Sequence, residues 1–558
     1  MTDQRPPASA ADPDRRYDAL VVGAGFAGMY MLHRLRERGF RAHVFEAAEN
    51  VGGVWYWNRY PGARCDVPSL AYSYSFSEEL QQEWEWTERY AAQPEILRYA
   101  EHVADRFDLR RDITFGTRVT SAVFDERTAS WIITTDSGAR VSARYFIPAV
   151  GCLSAVRTPD LPGAESFRGE TYHTGNWPHT PVDFAGKRVG VIGTGSSGIQ
   201  AIPLIAEVAE RVVVFQRTPN FSLPARNRPL TAEEVRETRS RYAQIRADMR
   251  RTPAGALHPS TGKGVLEVSE QERQAEFERR WEVGGTGFMA AFTDILRNAD
   301  ANRAVADFVH GKIRQIVRDP EVASRLCPTD HPIGAKRICA DTDYYQTYNR
   351  ANVELVDVRA TPVTGLTADG LRTSDAEYEL DIIVYATGYD AMTGSLTRMD
   401  ICGPDGTSLA EAWRDGPRTY LGLAVAGFPN LFVVAGPGSP SVLVNCIMAA
   451  EQHVEWISDV LEHLRASGAD RIEAERAAQD EWVSHVNEVA DRTLYPQANS
   501  WYTGANIPGK PRVFMPYVGG LNAYRDRCDE VAAAGYHGFR TTAGAADPDG
   551  KEAACSPA

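Results

Sequence analysis

The chain has 558 residues, 43% hydrophobic, 10% aromatic and 24% charged, the make-up of a folded protein with more than one core rather than a disordered or collagen-like one. A formal net charge of −14 offers no broad basic face to a nucleic acid or an anionic membrane, and no apolar run reaches the roughly 18 residues of a membrane span. No secretory-type apolar stretch opens the chain, so a cytoplasmic protein is expected, and the eight scattered cysteines, without C-x-x-C or Cys/His clustering, argue against a metal site and against a flavin-linked disulfide reductase.

Residues 1–16 and 541–558 are expected as disordered tails. The strand-like run YDALVV then leads into Gly23-Ala24-Gly25-Phe26-Ala27-Gly28 and a helical stretch. In that context Gly23 permits the tight turn, Gly25 lets backbone approach a pyrophosphate, and Gly28 lets helix and strand pack closely. A second strand, RAHVFE, ends at Glu46, 23 residues beyond Gly23, where a carboxylate can accept ribose hydroxyls. A dinucleotide without a 2′-phosphate, such as FAD, suits this site.

Further along, KRVGVI precedes Gly193-Thr194-Gly195-Ser196-Ser197-Gly198, followed by Ile199 and Gln200. Pro203 in the following helix predicts a kink or a shifted helix start. The same 23-residue interval from Gly193 reaches Gln216, with Arg217 and Thr218 next, so the acid of the first site is replaced by groups that tolerate or bind a 2′-phosphate. NADPH is therefore expected at the second site, with FAD at the first, and hydride transfer between them.

The runs YFIPAV, RVVVF, LDIIVYATG and NLFVVAG complete an α/β pattern of strands and crossover helices, read as parallel sheets in two Rossmann-like dinucleotide-binding domains. Residues 225–332 carry charged stretches with helical apolar spacing, among them Tyr242, Ile245, Phe277 and Trp281, and are read as a helical insertion. The expected division is 17–150 with 390–540 for FAD, 151–224 with 333–389 for NADPH, and 225–332 as the helical subdomain.

Two further stretches carry a resemblance. One is Phe167-x-Gly169-x-x-x-His173-x-x-x-Trp177-Pro178, and the other is GGVWYWNRYPGARCD from Gly52 to Asp66. Together they resemble type I Baeyer-Villiger monooxygenases, and IGAKRI, GPRTYLG, GPGSPSVL and SWYTGANIPG are similar to the phenylacetone and steroid monooxygenase branch. His179 stands where many members have Asp. His173, in a connector between the segment ending at Gly151 and the strand KRVGVIG, is read as a joint rather than a catalytic base.

The resemblance implies NADPH reduction of FAD, capture of O2 as an anionic C4a-peroxyflavin, and attack on a ketone to give an ester or lactone. It implies Arg337 as the catalytic cation and Asp66 as the carboxylate that orients it. Carried over by position, FAD contacts are Phe26, Ala27, Glu46, Val54, Trp55, Arg64, Asp66, Tyr72 and Val119; those to NADPH are Thr194 through Gln200, Arg217, Thr218, Lys336, Arg337 and Trp501. Trp501 would lie on a loop that closes over the nicotinamide nucleotide. The substrate loop would run from Gly436 through Ser441, Val442 and Leu443 to Cys446, suiting a hydrophobic aryl, cyclic or steroid-like ketone. A monomer or dimer is expected. The rival readings are a flavin-dependent N- or S-oxygenating enzyme, which would use a protonated rather than an anionic peroxide, and a redox-silent dinucleotide-binding protein.

Overall fold

In a computed structural model, which describes residues 16–543, the chain forms a seven-stranded and a five-stranded sheet that share no strand. The tails expected at 1–16 and 541–558 lie mostly outside the described residues. Where they are described they are strand: Arg16 pairs with Ser142, and Thr541 and Thr542 pair with Ile472 and Arg471.

The first sheet centres on Arg16–Val22, which runs parallel to Ala42–Phe45 on one side and to Arg140–Pro148 on the other. Its apolar run is buried on both faces, as a central parallel strand requires. Helix Phe26–Glu37 starts at its end, burying Met29, Tyr30, Met31, Leu32 and Leu35, and packs on helix Cys446–Ser467. Each such buried side chain contributes about 1.5–3 kcal/mol. The sheet is not wholly parallel: Val119–Asp125, Ser130–Thr135 and Arg140–Pro148 form an antiparallel meander. Their four-residue connections, Glu126 to Ala129 and Asp136 to Ala139, are too short for a crossover.

The second sheet is all parallel, ordered Val353–Asp357, Arg211–Gln216, Arg188–Ile192, Ile382–Tyr385, Glu170–His173. Helix Ser196–Val208 opens directly after the glycine turn, so Pro203 does not displace its start; the proline sits inside the helix and forgoes one backbone bond. The run NLFVVAG does not form a strand. It still runs beside Arg140–Pro148: Leu431 bridges to Phe146, the Phe146 amide donates to the Asn430 carbonyl, and the Phe432 and Val434 amides donate to the Phe146 and Pro148 carbonyls, with Asn430 and Ala435 in left-handed backbone angles at either end.

Between Arg211–Gln216 and Val353–Asp357, two strands of the second sheet, come helices Ala232–Arg250, Glu270–Val283 and Ala299–Ile316. Thr231 with Glu234 and Ser269 with Glu272 form reciprocal capping boxes that fix the first two starts. Tyr242, Phe277 and Trp281 are buried, and Ile245 packs beside Met249. Buried Arg246 ties its helix to the first sheet's unit through Gln81, the Ala71 carbonyl and Ser73. No described helix is long and apolar enough to cross a membrane.

Candidate active site

Each glycine turn ends in a helix whose N-cap is a glycine with no side chain to satisfy the first amides, leaving Gly25 and Gly195 as open anion cradles. A Cβ at Gly28 would lie 1.8 Å from the Gly23 carbonyl oxygen, and one at Gly198 2.3 Å from that of Gly193, so the third glycine of each turn is required by packing. A Cβ at Gly195 meets nothing within 4 Å, the open face that a pyrophosphate needs. The cradles therefore fit two dinucleotides.

Glu46 is buried and accepts the Ala24 and Ala48 amides at 2.5 and 2.7 Å. Burial raises its pKa while those amides oppose the rise. A carboxylate has capacity left for ribose hydroxyls after these two bonds. Gln216, its counterpart, donates to the Arg325 carbonyl at 2.8 Å, and its Oε1 is buried without a partner among the described residues. That orphaned acceptor fits a ribose hydroxyl without repelling a phosphate.

Asp66 and Arg337, 271 residues apart, meet in a two-pronged ion pair: Nε to Oδ2 at 2.9 Å and Nη2 to Oδ1 at 2.7 Å. The third anchor is the Val442 carbonyl, which accepts from Nη1 at 2.8 Å. Asp66 raises the Arg337 pKa further, so the cation is permanent. Parallel pairing of Ser222–Pro224 with Cys339–Asp341 fixes the segment that follows Arg337, and Asn220 donates to the Arg337 carbonyl at 3.1 Å. Ser441, at φ 38°, places Val442 through a left-handed turn that a side chain disfavours.

Around this pair, Trp55 Nε1 donates to the Tyr72 hydroxyl at 3.0 Å, and Tyr72 lies 3.6 Å from Cys446 Sγ. Cys446 is exposed and Leu443 half-buried against Tyr502 and Phe514. Phe26 packs its ring near Tyr72, Tyr74 and Tyr99, and Ala27 and Val54 border the same core. Trp501 lies in the connection between helices Arg476–Asp491 and Leu521–Ala533, where it begins a short 3-10 turn, Trp501–Thr503, with its ring 4.3 Å from Tyr502.

Several expected contact residues use their side chains elsewhere. Arg64 bonds Glu88 and the Tyr90 carbonyl, Ile199 is wholly buried in the core, and Val119 is buried beside Phe45. Gln200 accepts the Tyr60 hydroxyl at 2.8 Å and donates to the Arg64 carbonyl at 3.1 Å, stitching the second helix to the first motif. Ser196 contacts Cys339, Ser197 contacts Thr174, and Thr194 donates to the Thr218 carbonyl.

Arg217 is exposed beside Thr218, and Lys336 has its pKa lowered by burial and by the nearby Arg359 and Arg217. Arg359 carried no motif and escaped sequence reasoning; so did the Val442 carbonyl, which only the fold brings to Arg337. His173 behaves as a joint: Nδ1 accepts the Gly175 amide at 3.0 Å, and Nε2 lies 3.2 Å from the Arg157 carbonyl and 3.3 Å from Thr387. Burial lowers its pKa, which suits a neutral ring. Trp177 is buried against Tyr172 and Phe184, while His179 is exposed with its ring 4.4 Å from Tyr56.

Residues 17–227 match the flavin-binding monooxygenase-like family model. A solved steroid monooxygenase bound to NADP is 54% identical, with a TM-score of 0.91 over 95% of this chain and 100% of that one. Phenazine N-monooxygenase PhzNO1 of Lysobacter antibioticus is 44% identical over 94% of this chain and 96% of its own length. A Baeyer-Villiger monooxygenase of Pseudooceanicola batsensis is 42% identical over 93% and 95%. Aligned with these proteins over nearly its whole length, and carrying both dinucleotide cradles, the chain belongs to the FAD- and NADPH-dependent Baeyer-Villiger monooxygenases.

Proposed function

We propose that this protein inserts one oxygen atom of O2 beside the carbonyl of a hydrophobic ketone, giving an ester or lactone, with Arg337 as its catalytic cation. The observation that carries this reading is the three-point anchoring of Arg337. Of its five N–H donors, Nε, one on Nη2 and one on Nη1 are taken by Asp66 and Val442. One on each terminal nitrogen remains for an oxyanion.

Flavin reduced by NADPH supplies the activated oxygen when both nucleotides are bound. The chain's own residues do the rest. Asp66 holds the guanidinium plane fixed, so no reorganisation is needed as negative charge develops on the carbonyl oxygen. Tyr72, Trp55, Leu443 and Tyr502 give apolar walls that keep water away and receive a hydrophobic substrate; similarity to the steroid monooxygenase supports a steroid-like or cyclic ketone. Arg217, Thr218 and Lys336 hold the 2′-phosphate of NADPH. Residues 17–150 with 390–540 serve FAD, 151–224 with 333–389 serve NADPH, and 225–332 brace the two.

Similarity to the phenazine N-monooxygenase supports a second reading, oxygenation of a ring nitrogen. Heteroatom oxygenation develops no carbonyl oxyanion, so the anchored cation favours the ketone. Incubating the protein with NADPH and a panel of cyclic, aryl and steroid-like ketones, and separately with phenazine, tests this: an ester or lactone one oxygen heavier is expected. N-oxide from phenazine with no ketone converted would select the second reading instead.

A further inference from the structure

Residues 71–75 carry one wall of the candidate active site on Tyr72, whose hydroxyl accepts Trp55 Nε1 and lies 3.6 Å from Cys446 Sγ. Cys446 in turn is within electrostatic reach of Arg337 and Asp66. Two helices hold this segment. From helix Ala232–Arg250, Arg246 Nη1 donates to the Ala71 carbonyl at 3.0 Å, Nη2 to Ser73 Oγ at 2.7 Å and Nε to Gln81 at 3.1 Å. Arg250 of the same helix donates to Ser75 Oγ at 3.1 Å.

From helix Cys446–Ser467, Glu451 accepts the Ser75 amide at 2.5 Å and the Ser75 hydroxyl at 2.6 Å. Asn445, which caps that helix, donates to the same Ala71 carbonyl at 2.9 Å. The bonds thus fall at Ala71, Ser73 and Ser75, on both sides of Tyr72 in the chain, and Asn445 directly precedes the cysteine that Tyr72 faces. Tyr74, inside the same segment, donates its hydroxyl to the Phe26 carbonyl at the start of the helix after the first glycine cradle.

Arg246 and Glu451 are only 3% and 2% exposed. Burial pushes the arginine pKa down and the glutamate pKa up, and each charge opposes that shift in the other. Among the described residues no direct hydrogen bond joins the two; segment 71–75 bridges them. Desolvating two charges is expensive, and an apolar pair of similar volume is often as stabilising, so cohesion alone gives little reason for charges here. What they add is direction: five charge-assisted bonds aimed at a segment of five residues.

We propose that Arg246 and Glu451 act together as positioning residues for oxygen insertion: through residues 71–75 they fix the Tyr72 wall against Cys446 and so hold the ketone in register with Arg337. This rests on the ketone reading proposed above.

Rapid mixing gives the rate of flavin bleaching by NADPH, and mass spectrometry gives kcat/KM for whichever ketone of the panel above the unmodified protein converts best. Arg246→Met removes three bonds, and Glu451→Gln keeps the shape but turns an NH2 toward a Ser75 donor. Each is expected to lower kcat/KM roughly ten- to a hundredfold, as a misplacement of about 1 Å does, with bleaching within about twofold. Arg246→Lys keeps the charge without the fork and is expected to recover part of the loss. The double variant should lose no more than the worse single one, since the pair acts as a unit. Arg246→Met leaves Glu451 a buried charge without its counterpart; if that protein does not retain flavin, the isosteric Glu451→Gln decides alone. Unmodified kcat/KM in Glu451→Gln, bleaching that slows in step with insertion, or losses that multiply in the double variant would each overturn the proposal. If the unmodified protein converts no ketone of the panel, the ketone reading itself fails and takes this proposal with it.

Discussion

Replacing Asp66 by Asn tests how far the ion pair with Arg337 sets the rate. An amide keeps one acceptor but turns an NH2 toward the guanidinium, so one of the two bonds, at 2.9 and 2.7 Å, becomes donor against donor. Loss of one charge-assisted hydrogen bond costs roughly 1.5–3 kcal/mol. The side chains are 34% and 17% exposed, so screening takes the lower end, about 1.5 kcal/mol, which corresponds to about a tenfold slower oxygen insertion. Val442 still holds Nη1, which keeps this below the roughly 100- to 1,000-fold expected for losing an oxyanion donor altogether. Rapid mixing separates flavin bleaching by NADPH from product formation measured by mass spectrometry. The reasoning is refuted if ester forms at the unmodified rate, or if bleaching slows by the same factor.

Gly195→Ala places a methyl in space that no protein atom borders, at φ −84°, so fold and flavin content are expected unchanged while NADP+ binding weakens; unchanged NADP+ affinity would remove Gly195 from the pyrophosphate path. Arg217→Ala with Lys336→Ala is expected to bring the Michaelis constants for NADPH and NADH together, chiefly by raising that for NADPH, and a retained preference would contradict the phosphate site. His453 is fully buried, accepts the Ala435 amide at 3.0 Å, and is pushed down to about 3 by burial. Its folded pKa lies below the unfolded value near 6.5, so its contribution is present above that value and is lost as pH falls toward 3, by about 1.4 kcal/mol per pH unit. Melting temperatures from pH 7 to 4 should therefore fall less steeply for His453→Gln; an equal slope would show that this histidine does not govern acid sensitivity.

What was legible in the sequence was chemistry confined to short contiguous stretches. The two glycine turns are local devices, each with its helix beginning where the motif says, and Asp66 and Arg337 stood out because family-like motifs enclose them. Contacts made by the chain's return were not legible. The Val442 carbonyl and Arg359 carry no local pattern, and only strand order brings Asp357 beside Gln216. The first two strands of the antiparallel meander from Val119 to Pro148 were not read at all, only YFIPAV being picked out by its apolar run; the short connections were the available signal. NLFVVAG pairs in parallel beside Phe146 to Pro148 through three backbone hydrogen bonds, yet left-handed angles at Asn430 and Ala435 confine it to a short, irregular segment. Of the contact positions inferred by resemblance, Arg64, Ile199 and Val119 turn their side chains to protein partners or the core, a choice made by packing rather than by motif.

The most direct measurement compares the unmodified protein with Arg337→Ala, following NADPH-driven flavin bleaching and, in the same reaction, conversion of a hydrophobic ketone to a product one oxygen heavier. The account predicts that both proteins bleach and that only the unmodified one forms ester or lactone, the variant consuming NADPH without product. Ester formation by Arg337→Ala at the unmodified rate would contradict it.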